Sequence, residues 1–79
     1  MTTASHTLDQ YFPEMRWRAL SLAADLDRIH RADGGEALIA SDPRLARLRE
    51  AINVLLQNAP DRAAKVQMIF SDTTPPPSR

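Results

Sequence analysis

Asp27 and His30 stand three residues apart in a segment patterned as a helix, the spacing at which a carboxylate can hold an imidazole. As a catalytic pair they would need a nucleophile beside them, and no neighbouring residue supplies one. His30 falls near the end of its helix, where the dipole favours an imidazolium, and it reads as a structural or surface histidine. His6 is isolated, and the chain has no cysteine, so a zinc site lacks its further ligands. Asp25 and Asp27 diverge by about 200° around a helix and cannot act together as a carboxylate dyad. Asp33-Gly34-Gly35-Glu36 has neither the alternating oxygen ligands of a calcium loop nor the Gly-Lys-Ser/Thr of a phosphate loop. It reads as a helix stop. No catalytic, cofactor-binding or metal-ligating residue is assigned on this reading, and neither a cofactor nor an enzymatic activity is expected.

Two patterns point to binding instead. Arg44, Arg47 and Arg49 form the densest basic patch, a candidate nucleic-acid face. A break between two helices behind it could be read as a helix-turn-helix, yet the second helix offers only Arg62, Lys65 and Gln67 as polar readers. The second pattern centres on Trp17. By helical phase Trp17 points away from Met15 and Leu26 and lies alongside Leu20 and Ala24, which gives its helix a second apolar stripe. With Tyr11 and Phe12 just upstream, the candidate interface is Tyr11, Phe12, Trp17, Leu20 and Ala24, because tryptophan is enriched among interface anchors.

The elements that would carry these residues are marked by caps and breakers. Thr7 to Gln10 fits a capping box, with Thr7 as N-cap. Residues 1–12 are therefore expected to be an arm with one short helical turn. Pro13 lacks an N–H and suits the first position of a new helix, predicted over 13–31. Met15, Ala19, Leu22, Leu26 and Ile29 make its seam. Glu14 with Arg18 and Asp27 with Arg31 are spaced as i, i+4 pairs. Asp33-Gly34-Gly35 ends the helix, and Glu36 to Ala40 forms a short helical connector. Ser41-Asp42-Pro43 is the strongest start signal and opens a helix over 43–57, with Leu45, Leu48, Ile52 and Leu55 on one face. A third helix follows over 60–70, with Ala63, Val66, Ile69 and Phe70 on one face. Pro75-Pro76-Pro77 favours an extended, solvated tail over 71–79. The expected fold is an all-α three-helix bundle, a helical hairpin plus a short third helix over 13–70, between disordered termini.

Composition narrows the function classes. The 79 residues allow one domain with a marginal core. Ten basic and ten acidic residues cancel, which argues against a nucleic-acid partner or an anionic membrane. Arginine outnumbers lysine nine to one, the usage of a GC-rich bacterial genome. The N-terminus has no basic segment followed by an apolar run, and no apolar run reaches membrane-spanning length, so a cytoplasmic protein is expected. The leading expectation is a small protein–protein interaction module or accessory subunit that self-associates, with a homodimer as the simplest form. The alternative is a small DNA- or RNA-associated regulator using the arginine face. Mid-seam truncations such as Leu26→Ala or Ile52→Ala are expected to cost on the order of 2–4 kcal/mol, and His30→Ala much less.

Overall fold

The computed structural model describes residues 3–71. They form four helices and no strand: α1 (Ala4–Arg31), α2 (Gly35–Ser41), α3 (Pro43–Leu56) and α4 (Arg62–Phe70). The all-α class is as expected. The connector over Glu36 to Ala40 is a helix in its own right, α2. The proline-rich tail lies outside the described residues. The chain divides into two compact units, Met1–Ala37 and Leu38–Arg79.

In the first unit, α1 does not begin at Pro13. It runs unbroken for 28 residues, with Pro13 inside it, and replaces the expected N-terminal arm from Ala4 onward. Thr3, not Thr7, is the N-cap: its hydroxyl accepts from the His6 amide at 3.1 Å. The Thr7 hydroxyl turns back to donate to the Thr3 carbonyl at 3.0 Å, as threonines inside helices do. Pro13 removes the amide that would reach the Asp9 carbonyl, and Asp9 is exposed, so solvent can serve that oxygen. Strong helix formers follow, among them Glu14, Met15, Arg16 and Ala19. Arg18 and Glu14 pair at 2.7 Å as spaced. Further along, Arg28 pairs with Asp25 at 2.7 Å, whereas no Asp27–Arg31 bridge forms among the described residues. Arg28, His30 and Arg31 occupy the last turn, where cations meet the negative end of the dipole.

The stop after α1 uses its glycines in another way than expected. Ala32, in extended conformation, is the C-cap, and its amide reaches the Arg28 and Ile29 carbonyls. Gly34 takes a left-handed φ of 78° shortly after, and Gly35 opens α2. A Cβ on Gly35 would collide with the Ile29 carbonyl, so this position requires glycine for close approach.

In the second unit, Asp42 caps α3 by accepting the Arg44 amide at 2.8 Å, and Pro43 sits in the first turn. Helix α3 then packs against α4. Leu45, Leu48 and Ile52 of α3 and Val66 and Ile69 of α4 are half-buried. The apolar face stops there. Leu55, expected on the seam, is 55 % exposed, as is nearby Leu56 at 78 %, and Phe70 and Ala63 are also exposed. Helix α4 starts at Arg62 instead of Pro60, because Asp61 adopts a left-handed φ of 66° and delays the first helical residue. Arg62 reaches back with Nε at 3.1 Å and Nη2 at 2.5 Å to the Gln57 carbonyl and so closes the end of α3.

Burial is sparse. Among the described residues Ala51, 5 % exposed, is the buried hydrophobic side chain, and α1 contains no buried residue. Leu26 and Ile52 are only half-buried, so the cavity cost expected for a mid-seam truncation shrinks. Ile52→Ala is expected to cost about 1–2 kcal/mol, roughly half of what full burial would give. Ala51→Leu must push a larger side chain into occupied space and is expected to cost about 1–3 kcal/mol. Urea denaturation checks both; an Ala51→Leu variant as stable as the parent would show that this position has room.

Candidate interaction surface

The largest concentration of exposed apolar side chains lies on α1. Leu8, Tyr11, Phe12, Met15, Trp17 and Leu20 are each about half exposed or more, with Trp17 at 66 %. Helical periodicity sorts them into two opposite faces. Because α1 passes through Pro13 without a break, Leu8 and Phe12 fall in phase with Met15, Ala19, Leu22, Leu26 and Ile29. The seam thus extends over most of the helix, with Tyr11 at its edge. Its first half is exposed, whereas Leu22, Leu26 and Ile29 are half-buried. A shallow groove along that first half is lined by Leu8, Tyr11, Met15 and Arg18.

The opposite face carries Trp17 and Ala24 with Leu20 at its border, where Leu20 also lines a groove with Phe12, Met15, Arg16 and Ala19. Another shallow groove is lined by Trp17, Leu20 and Ala24 together with Ser21, Asp25 and Arg28. The Asp25–Arg28 ion pair therefore rims an apolar strip. Ala24 is half-buried and the other two are exposed. Of the residues proposed from sequence, Trp17, Leu20 and Ala24 come together, while Tyr11 and Phe12 belong to the seam side. Leu8 and Met15 complete the exposed set. Leu8 stands one heptad before Met15, a signal that an assumed helix start at Pro13 conceals.

The arginine patch is divided. Arg44 is held by Asp42, with Nε at 3.0 Å and Nη2 at 2.9 Å from the two carboxylate oxygens. Arg49 donates to the Ile39 carbonyl at 3.3 Å. Arg47 makes no hydrogen bond or ion pair among the described residues. By periodicity Arg44 and Arg47 share a side of α3, while Arg49 lies well round the helix from Arg44. Arg62, a reader in the helix-turn-helix view, is occupied by the Gln57 carbonyl. His30 is exposed, and no group of three metal-ligating side chains occurs among the described residues.

The Asp42–Arg44 contact is the strongest electrostatic feature. The Asp42 side chain is 13 % exposed and the Arg44 side chain 79 %. Hydrogen bonds from the Arg44 side chain and then from its backbone amide, aided by its charge, hold the Asp42 carboxyl down at about 2. The same contact raises the Arg44 guanidinium. A carboxyl that titrates lower folded than unfolded stabilises the fold above its ordinary value near 4, and that contribution disappears as pH falls toward 2. Asparagine caps helices about as well as aspartate but has no charge to lose. Asp42→Asn is therefore expected to flatten the fall in thermal midpoint between pH 4 and pH 2. An unchanged slope in thermal melts by circular dichroism would contradict this assignment.

Compared with protein-family models, curated proteins and solved structures, the chain matches none.

Proposed function

We propose that this chain is a helical protein–protein interaction module, an accessory subunit that acts through α1 and associates with itself. One observation carries the reading: six large apolar side chains of a single helix, from Leu8 to Leu20, stand exposed on two faces. Scattered exposed apolar residues are ordinary, but a contiguous set on one element marks a surface made for contact. Trp17 and Tyr11 are of the types that anchor interfaces. Of Arg44, Arg47 and Arg49, two are engaged within the chain and the third shares a side of α3 with only one of them, which leaves little continuous basic surface for a phosphate backbone. No helix of the described residues is long and apolar enough to cross a membrane.

Sedimentation equilibrium over a concentration series tests the reading. The average mass is expected to rise above the monomer value. A Phe12→Glu/Trp17→Glu variant, with one charge on each face of α1, is expected to remain monomeric while keeping its helical circular dichroism, because both positions are exposed. A parent protein that stays monomeric at high micromolar concentration would reject self-association. A salt-dependent DNA complex lost in Arg44→Ala/Arg47→Ala would favour the nucleic-acid alternative instead.

A further inference from the structure

We propose that α1 pairs antiparallel with α1 of a second copy of this chain along Leu8, Phe12, Met15 and Ala19, in the register that sets Asp9 of each copy against Arg16 of the other. The inference rests on the reading of α1 as a self-associating interaction helix and adds the face, the orientation and the register.

The face follows from phase and exposure. Leu8, Phe12, Met15, Ala19, Leu22, Leu26 and Ile29 alternate at spacings of four and three, the a/d pattern of a two-helix seam. Leu8, Phe12 and Met15 are 53 %, 52 % and 49 % exposed, so the N-terminal half of the seam is the part left open. The opposite face has one tryptophan, one leucine and an alanine, too narrow an apolar strip for helix-on-helix packing over several turns. Pro13 falls on the outward side of the seam, where its ring meets no partner helix.

Charge selects the register. In an antiparallel pair each a layer of one helix meets a d layer of the other, and the flanking e and g positions meet their own kind. With Phe12 of one copy layered on Met15 of the other, and Leu8 on Ala19, the e positions bring Asp9 against Arg16 twice. The g positions bring Tyr11 against Arg18 twice, within reach of a cation–π contact. Arg18 is already held in place by Glu14 of its own helix at 2.7 Å. A slip of one heptad toward the C-terminus sets Arg16 against Arg16 and Arg18 against Arg18, which is repulsive on both flanks. A slip of two heptads gives tolerable charges but requires Leu22, Leu26 and Ile29, which are half-buried within the chain. The register centred near Pro13 combines an open seam with opposite charges. So short a seam belongs among weak, reversible interfaces.

The full chain has no cysteine, so single thiols can be placed without background. Asp9→Cys and Arg16→Cys proteins are mixed and treated with a short bismaleimide. In the proposed register residue 9 faces residue 16 of the other copy. Along the axis the 9–16 pair is offset by about two residues, roughly 3 Å, whereas residue 9 lies about nine residues, roughly 13 Å, and residue 16 about five residues, roughly 8 Å, from its own counterpart. The mixed cross-link is therefore expected to dominate over either homodimer. In parallel, Asp9→Arg and Arg16→Asp are each expected to weaken the dimer roughly tenfold, with the double exchange restoring it, as paired surface charges do. A dimer that gives mainly homodimeric cross-links, or that the double exchange fails to restore, overturns the register while leaving α1 as an interaction helix. A dimer broken by Trp17→Glu alone but not by Met15→Glu moves self-association to the opposite face. A monomer at every concentration removes both this pairing and self-association itself.

Discussion

The carbonyl of Asp9 points along α1 toward a residue that has no amide to give it, because four positions on the chain has Pro13. A proline inside a helix costs on the order of 3 kcal/mol. The surface of α1 depends on the helix absorbing that cost. Only a continuous helix puts Leu8 and Phe12 in phase with Met15 and Ala19. A break at Pro13 would leave two short segments whose apolar residues need not line up. The local means of holding the helix together are visible: Thr3 caps the start, the Glu14–Arg18 bridge closes the turn just after the proline, and three basic residues meet the dipole at the end. Each contributes little, since exposed pairs and caps stabilise by about 1 kcal/mol or less apiece. Burial of the seam against a second helix would stabilise α1 by more than these local contacts and so offset the proline.

The second unit solves the small-chain problem in another way. Helices α3 and α4 are both short, and their connection would tend to splay. One polar device fixes it: Arg62 ties the first residue of α4 to the carbonyl that follows α3. At the other end of α3, Asp42 locks the first turn through both its cap and its bidentate contact with Arg44. Arg49, which reaches the Ile39 carbonyl of α2, and Arg62 are side chains that sequence reading would lend to a phosphate-binding surface, and they are employed in joining helices. Arginine suits this task because its planar fork can reach two acceptors, or one acceptor twice, without being fully buried.

What the sequence disclosed, and what it withheld, follows from the range of each signal. Ser41-Asp42-Pro43 is a local instruction with few competitors, and α3 ends within one residue of its predicted limit. The Glu14–Arg18 pair and the helical connector before Ser41 are likewise written in adjacent residues. Pro13 is different. A proline at the first turn and a proline in the interior look alike locally, and Thr3 and Thr7 are both suitable caps. The choice between them is made by the whole helix, and the two readings differ in whether residues 4–12 belong to the seam. Asp61 shows the same limit on a smaller scale, since a left-handed aspartate delays α4 by two residues without any glycine to announce it. The Trp17 stripe is legible because it lies downstream of the proline. Leu8 is not, because its partner in phase lies across it.

Two apolar faces on one helix impose a division of labour. A helix packed on both sides is ordinarily an interior element, yet α1 has no buried residue. The seam side is broad, with large side chains flanked by charges of both signs, and in the proposed antiparallel pair Asp9 and Arg16 would be mutual partners. The Trp17 side is narrow and rimmed by the Asp25–Arg28 pair. It presents one large aromatic beside a shallow apolar strip, the arrangement of an anchor residue and not of a long helical seam. The two faces are nearly opposite, so occupying one leaves the other accessible. A dimer formed on the seam would display two Trp17 faces pointing outward, related by the same two-fold axis. Such a dimer would bind a partner with two matching sites more tightly than either face alone, through effective concentration and without any new contact.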